Sequence, residues 1–205
     1  MRSGETESSC FEVTCTLETE RVRLRQIMEH DAGSIAECLG KDDRVARMTS
    51  RIPWPYSRSD ADAYVAMITS TTRTEEKEYV WALELKTNSR FIGVVGLHYH
   101  EHHHDSHKGE GGRDAGDEDM VCYELGYWID PAEWCRGLAT EAAQAVVDYA
   151  RIKSLMPIVA NVFCDNSRSC RVLEKLGFER KGISELYSRG RDETAPIFKY
   201  RLKPI

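Results

Sequence analysis

Between Asp130 and Ala142 the chain reads Asp-Pro-Ala-Glu-Trp-Cys-Arg-Gly-Leu-Ala-Thr-Glu-Ala, a turn that leads into a helical pattern. Gly137 lets the backbone approach a ligand where a side chain would block it. The free N–H groups of a helix N-terminus are a physical basis for holding phosphate or pyrophosphate. Arg136 could add a charge-assisted contact to the same anion. A single glycine fits an ordinary strand-to-helix turn equally well. No Gly-Lys-Ser/Thr follows, so nucleotide hydrolysis is not suggested, and no Gly-x-Gly-x-x-Gly supports a dinucleotide site. About thirty residues on, Asn166, Ser169 and the run Glu174-Lys175-Leu176-Gly177-Phe178 follow a second strand pattern. The Ser169 hydroxyl could pass a proton, or simply help to start a helix; Asn166 could be only a helix cap. Upstream, Glu124 shares a strand face with Gly126 and Trp128, because strand side chains alternate. Partial burial beside aromatics would raise its pKa toward the range of a general base; an exposed or arginine-paired carboxylate is the other reading. Gly126, inside a strand, fits a β-bulge.

These residues need elements to hold them. Ala139, Ala142, Ala143, Val146, Val147 and Ala150 recur at helical spacing, with Glu141, Gln144 and Asp148 off the stripe, so this helix packs on a sheet with its positive end at the turn. Leu17 to Gln26 alternates and reads as a strand. Asp31 can cap a helix bearing Ala32, Ile35, Ala36 and Leu39. Ser59 with Asp62 opens a second helix with Tyr64, Val65 and Ile68. Tyr79 to Leu85 and Phe91 to His98 predict a hairpin about Thr87, Asn88 and Ser89. A strand at 121–130, the motif helix, a strand at Ile158 to Phe163 and a short helix over 167–176 follow. Strands near Gly182 to Leu186 and Pro196 to Leu202 close the pattern.

The segment from Trp134 to Ala142, taken with Asn166 and Ser169, resembles motif A and its downstream partner in the GNAT superfamily of acetyl-CoA-dependent N-acetyltransferases. Within it the ribosomal-protein (RimJ/RimL-like) branch is most similar, and the resemblance runs over roughly residues 17 to 202. It implies an α+β fold: a mixed, mostly antiparallel, splayed sheet flanked by helices. It implies acetyl-CoA as co-substrate, with no metal required. It places Trp134, Arg136, Gly137, Leu138, Ala139 and Thr140 about the pyrophosphate, and Tyr127, Trp128, Ile129 and Asn166 along the pantetheine. Glu124 would be the base, acting directly or through water, and Ser169 would protonate the departing thiolate. Trp54 and Tyr56 resemble a loop over the acceptor. Three departures stand out: Trp134 replaces the superfamily's Gln or Arg, as this branch tolerates, Cys135 occupies a place where the family usually has glycine, and Leu173 stands where some members carry a catalytic tyrosine.

At 205 residues, with 41% hydrophobic and 30% charged residues, the chain suits one domain with a substantial core. We expect a disordered extension over residues 1–14 and a single GNAT domain over 15–205. No apolar run approaches membrane-helix length, and Met1 to Val13 lack the apolar region of a signal peptide. Seven scattered cysteines favour reduced thiols in a cytosolic or nuclear compartment, and a cytoplasmic location is expected. Residues 101–119 carry seven acids against two bases, which accounts for most of the net charge of −6. The remainder is near neutral, so neither nucleic acid nor membrane is an expected partner. The insertion at about 99–119 also holds His100, His102, His103, His104 and His107, read as a mobile hairpin with adventitious metal affinity. The leading expectation is transfer of acetyl to a primary amine, on a small molecule or a peptide N-terminus, by a monomer or homodimer. The competing readings are a non-catalytic acyl-CoA or protein binding module and a metal sensor built on the insertion.

Overall fold

The computed structural model describes residues 15–70, 78–101 and 121–204. The chain runs β1 (Leu17–Glu18), β2 (Val22–Gln26), α1 (Asp31–Gly40), α2 (Arg58–Thr69), β3 (Glu78–Leu85), β4 (Phe91–Glu101), β5 (Val121–Ile129), α3 (Leu138–Ile152), β6 (Ile158–Phe163), α4 (Ser167–Lys175), β7 (Phe178–Ser188) and β8 (Glu193–Leu202). The strands form one sheet in the order β1-β2-β3-β4-β5-β6-β8-β7. Among these pairs β5–β6 alone is parallel, as a strand–helix–strand crossover through α3 requires.

Strand alternation sorts side chains onto two faces. Leu125 and Ile129 of β5 join Val95, Leu97 and the α3 stripe (Ala142, Ala143, Val146, Val147 and Ala150) in the larger core. Val80, Ala82 and Val94 meet Ile35, Leu39, Ala61 and Val65 of α1 and α2 on the opposite face, with Trp128 packed against them. The sheet is thus covered by α3 and α4 on one side and by α1 and α2 on the other, the expected α+β layering.

One departure from regularity matters most. β5 and β6 are registered only at Tyr123↔Ile158 and Glu124↔Val159, after which the two strands part. β6 stays paired with β8 as far as Phe163↔Ile197. From Leu125 to Ile129 the edge of β5 facing β6 is therefore left without a strand partner. The bulge expected at Gly126 is absent: β4 and β5 pair in unbroken register, with Gly96 opposite Gly126. Space opens by divergence of the neighbouring strand, not by an extra residue.

Several local expectations shift. Asp31 is the first residue of α1, not its cap; its buried carboxylate instead accepts two hydrogen bonds from Arg25 and one from the Met28 N–H, each at 2.8 Å. α2 starts two residues earlier than expected, through a capping box between Ser57 and Asp60. β7 and β8 are both longer than their sequence patterns suggest. The expected extension over residues 1–14, and His102, His103, His104 and His107 of the insertion, lie outside the described residues.

Candidate active site

The turn between β5 and α3 is built from local hydrogen bonds and then braced from outside. Asp130 caps a single 3-10 turn over Pro131–Glu133, its Oδ1 accepting the Ala132 N–H at 3.0 Å. Trp134 donates through Nε1 to the Ile129 carbonyl at 2.7 Å, which folds the indole back against the end of β5. Gly137 then takes φ +79, and the first bond of α3 runs from the Glu141 N–H to the Gly137 carbonyl. The N–H groups of Leu138, Ala139 and Thr140 precede that bond and stand at the positive end of the helix, next to the cavity.

Two arginines hold this turn. Arg21 donates through Nε to Glu141 Oε2 and through its backbone N–H to Oε1, each at 2.7 Å, while its Nη1 reaches the Arg136 carbonyl at 2.9 Å. Burial opposes the Glu141 charge, but hydrogen bonds from Thr19 and Arg21 outweigh it and keep the carboxyl below its ordinary 4.5. On the other side Arg90 bonds Asp130 at 3.3 Å and also pairs with Glu133. Glu133 pairs with Arg136 as well. Arg136, expected to face the anion, is thus engaged by a carboxylate, and its side chain is not part of the cavity wall.

The cavity has a volume of about 1130 Å³ and runs from the α3 N-terminus, through the β5–β6 cleft, to α1 and α2. Tyr127, Trp128, Ile129, Trp134, Gly137, Leu138, Ala139, Thr140 and Asn166 all line it. The guanidiniums of Arg168 and Arg44 stand 4.9 Å and 5.5 Å from the centre of the Trp134 ring. Asn166 caps α4, its Oδ1 accepting the Ser169 N–H at 3.1 Å. Ser169 Oγ sits 2.8 Å from the Tyr127 hydroxyl. Burial pushes the Tyr127 phenol well above its ordinary 10, only partly relieved by Ser169, so it stays protonated. Leu173, where some relatives carry tyrosine, is fully buried core; the phenol near Ser169 comes from β5 instead. Tyr56 lines the cavity, whereas Trp54 is 37% exposed and lies outside its wall.

At the other end the walls turn polar. Glu124 accepts a hydrogen bond from Asn161 Nδ2 at 2.9 Å. His100 Nε2 stands 2.9 Å from its other carboxylate oxygen. Burial disfavours the ionised carboxylate, yet His100, Asn161 and the Arg51 charge outweigh it and hold the Glu124 pKa below 4.5. This reverses the direction expected from burial beside aromatics: the sequence showed the aromatic neighbours but not the cross-strand imidazole and amide. His98, opposite Glu124 on β4, places Nδ1 3.4 Å from Glu78 Oε1 on β3. Glu78, His98, Glu124 and Asn161 thus form a row across four strands, and all four line the cavity. Glu78, Asn161 and Arg21 were not singled out from sequence, and His98 and His100 were read only as part of the histidine-rich stretch. Among the described residues no three His, Cys, Asp or Glu side chains cluster as metal ligands would.

The splayed strand pair, the open helix N-terminus beside it, and a hydroxyl and a carboxylate in one cavity define an acyl-CoA-dependent acyltransferase. Residues 21–179 match the family model described as Acetyltransferase (GNAT) domain. The uncharacterized N-acetyltransferase YoaA of Bacillus subtilis is 32% identical over 174 residues, spanning 83% of this chain and 86% of that protein. Mycobacterium smegmatis RimJ, solved with CoA-disulfide, superposes with a TM-score of 0.71 at 17% identity, covering 91% of this chain and 86% of the other. The ribosomal-protein-S5-alanine acetyltransferase from Vibrio fischeri gives 0.69 at 18% identity, covering 93% and 100%. The chain belongs to the GNAT acetyltransferase family and is an acetyl-CoA-dependent N-acetyltransferase.

Proposed function

We propose that the acceptor is the primary amine of a small cationic molecule, bound over the carboxylate row at the α2 end of the cavity. The observation that carries this reading is the pairing of acids and closure. Glu78 and Glu124 lie on the sheet face, and Asp60 lines the same cavity from α2. Meanwhile the β7–β8 turn is tied to the segment before Tyr56. The Arg189 N–H donates to the Ser50 carbonyl at 2.9 Å, Ser188 Oγ to the Thr49 carbonyl at 3.1 Å, and Arg191 Nε to the Arg47 carbonyl at 2.5 Å. Arg191 also grips Asp165 through two 2.8 Å bonds, drawing the loop before α4 into the same clamp. A peptide N-terminus needs an open groove; a clamp across one side favours a compact acceptor.

Acetyl-CoA enters from the α3 side in this reading. The backbone of Trp134 to Thr140 receives the pyrophosphate, helped by the dipole of α3. The unpaired edge of β5 over Tyr127, Trp128 and Ile129 receives the pantetheine, with Asn166 opposite. Arg168, Arg171 and Lys175 of α4 also face the cavity and match the charge of a coenzyme phosphate. Ser169, next to the Tyr127 hydroxyl, hydrogen-bonds the sulfur and gives its proton to the departing thiolate. Glu124, ionised at neutral pH, draws in the ammonium form of the acceptor. Among the described residues the six cysteines are free thiols, which supports a cytoplasmic setting.

The test is an acceptor panel with acetyl-CoA, reading release of free coenzyme A thiol. Polyamines and aminoglycosides are expected to turn over and N-terminal peptides to remain untouched. Turnover of peptides alone would transfer the assignment to a protein N-terminus. Acetyl-CoA binding without thiol release from any amine would favour a binding module.

A further inference from the structure

Glu124 is an anchor with a depressed pKa, which makes it a poor proton acceptor. Another group in the cavity is better suited. We propose that His98, held through Nδ1 by Glu78, is the proton acceptor for the incoming amine, with Nε2 serving as the base. The inference rests on acetyl transfer to an amine in this cavity and names the residue that makes the amine nucleophilic.

Strand register brings these groups together. His98 and Glu78 are direct partners across β3–β4, and His98 and Glu124 are direct partners across β4–β5. Partners in an antiparallel pair point to the same face, so the imidazole sits between two carboxylates. Its Nδ1 is 3.4 Å from Glu78 Oε1, within reach of a bond that fixes the proton on Nδ1 and leaves Nε2 as acceptor. That is the orienting logic of a carboxylate–imidazole pair.

Two glycines then clear the space around the ring. A Cβ at Gly126 would come within 3.6 Å of both Cδ2 and Nε2 of His98, and a Cβ at Gly96 within 3.5 Å of Nε2. With no side chain at either position, the Nε2 edge lies over bare backbone, beside the stretch of β5 freed by the strand divergence. His98 remains 24% exposed and lines the cavity, so a bound amine can reach it.

The charged and titratable groups that share its cavity come from every neighbouring element: Glu78 on β3, Glu124 on β5, Asp60 and Tyr64 on α2, and Arg51 and Arg189 from the flanking loops, with His100 of β4 beside Glu124.

The reaction balances as follows. Nε2 takes one proton from R–NH3+. The freed nitrogen lone pair forms the C–N bond to the thioester carbonyl carbon, and the C–S bond breaks. The second proton lost by nitrogen restores the Ser169 hydroxyl, whose own proton has gone to the coenzyme thiolate, while the proton on His98 returns to solvent through the open cavity. The products are the acetamide, coenzyme A thiol and one proton.

Two measurements on the full chain test this. The first compares pH–rate profiles of wild type, His98→Gln, Glu78→Gln and Glu124→Gln on an amine that wild type acetylates. His98→Gln is expected to lower kcat about 100-fold and to abolish the acidic limb of kcat/KM, with acetyl-CoA affinity unchanged as the check on folding. Glu78→Gln should lower kcat while retaining the limb, and Glu124→Gln should keep the limb and raise KM. An unaltered limb in His98→Gln, or its loss in Glu124→Gln alone, would overturn the assignment while leaving the acetyltransferase reading intact. The second needs no acceptor: long-range proton–nitrogen spectra of labelled protein should show His98 as the Nδ1–H tautomer, shifting in Glu78→Gln. A resting Nε2–H tautomer would overturn the proposal even if no amine were ever found.

Discussion

The two ends of the cavity are made of different material. At the α3 end the groups that would meet the ligand are backbone N–H groups, and side chains such as Arg21, Glu141, Arg90 and Glu133 work behind them as braces. At the β3–β4–β5 end β4 and β5 pair in unbroken register, and it is the side chains Glu78, His98 and Glu124 that line the cavity. A backbone site depends on conformation and tolerates varied side chains. A side-chain site depends on residue identity and can be retuned without disturbing the sheet.

If the α3 end acts through conformation, the largest effect comes from forbidding it. Gly137 holds φ +79, and an added Cβ would also meet Arg21 Nη2 at 3.5 Å. Left-handed backbone costs an L-residue about 1–2 kcal/mol, and a β-branched residue sits at the upper end. Gly137→Val should therefore weaken acetyl-CoA binding about ten- to thirtyfold by titration calorimetry. Undiminished affinity in a folded variant would place the pyrophosphate elsewhere.

At the other end the same logic predicts an identity effect. Glu124→Gln keeps shape and removes charge, so acetyl-CoA affinity should hold while KM for a cationic acceptor rises about tenfold, the scale of one charge-assisted contact. A fall in kcat at constant KM would instead make Glu124 the base and blur the contrast between anchor and proton acceptor.

The two ends were also unequally legible in the sequence. A backbone site leaves a local signature: Gly137 and the stripe from Ala139 to Ala150 are contiguous, and they predicted the turn, the helix and its packing face. The acceptor row is non-local. Glu78, His98 and Glu124 lie on three strands, and the register joining β4 to β5 is fixed across an insertion of about twenty residues, which no short turn motif specifies. His98 read as the end of a strand in a histidine-rich stretch. Its pairing with Glu124 appears only once Gly96 is known to face Gly126. The Glu124 error has the same origin, since burial was visible locally but Asn161 and His100 were not. Trp54 and Tyr56 are close neighbours in one loop, and sequence could not decide that only Tyr56 turns inward.

The braces give a smaller, pH-dependent effect. Because the folded-state pKa of Glu141 is lowered, its contribution to stability is fully present above the ordinary 4.5 and is lost as pH falls through the lower folded value. Glu141→Gln should cost about 1 kcal/mol at neutral pH, and the difference from wild type should shrink as pH drops below 4.5. Denaturant unfolding at pH 7 and pH 3.5 reads this directly. A constant difference across that window would mean that the Arg21 contacts act through shape alone.

The smallest effect is the most specific to this chain. Cys135 adopts φ +62, a left-handed conformation, at a turn position where the resembling family usually has glycine. Two opposing magnitudes decide the outcome of Cys135→Gly. Relief of left-handed strain returns about 1–2 kcal/mol, and the greater freedom of glycine in the unfolded chain takes back about 0.5–1 kcal/mol. The thiol is exposed, so little packing is lost. The variant should therefore gain about 0.5–1 kcal/mol in stability and bind acetyl-CoA at least as tightly as wild type. A destabilised Cys135→Gly would show that the thiol makes a contact worth more than the strain it imposes, and that this end of the cavity, too, relies on a side chain.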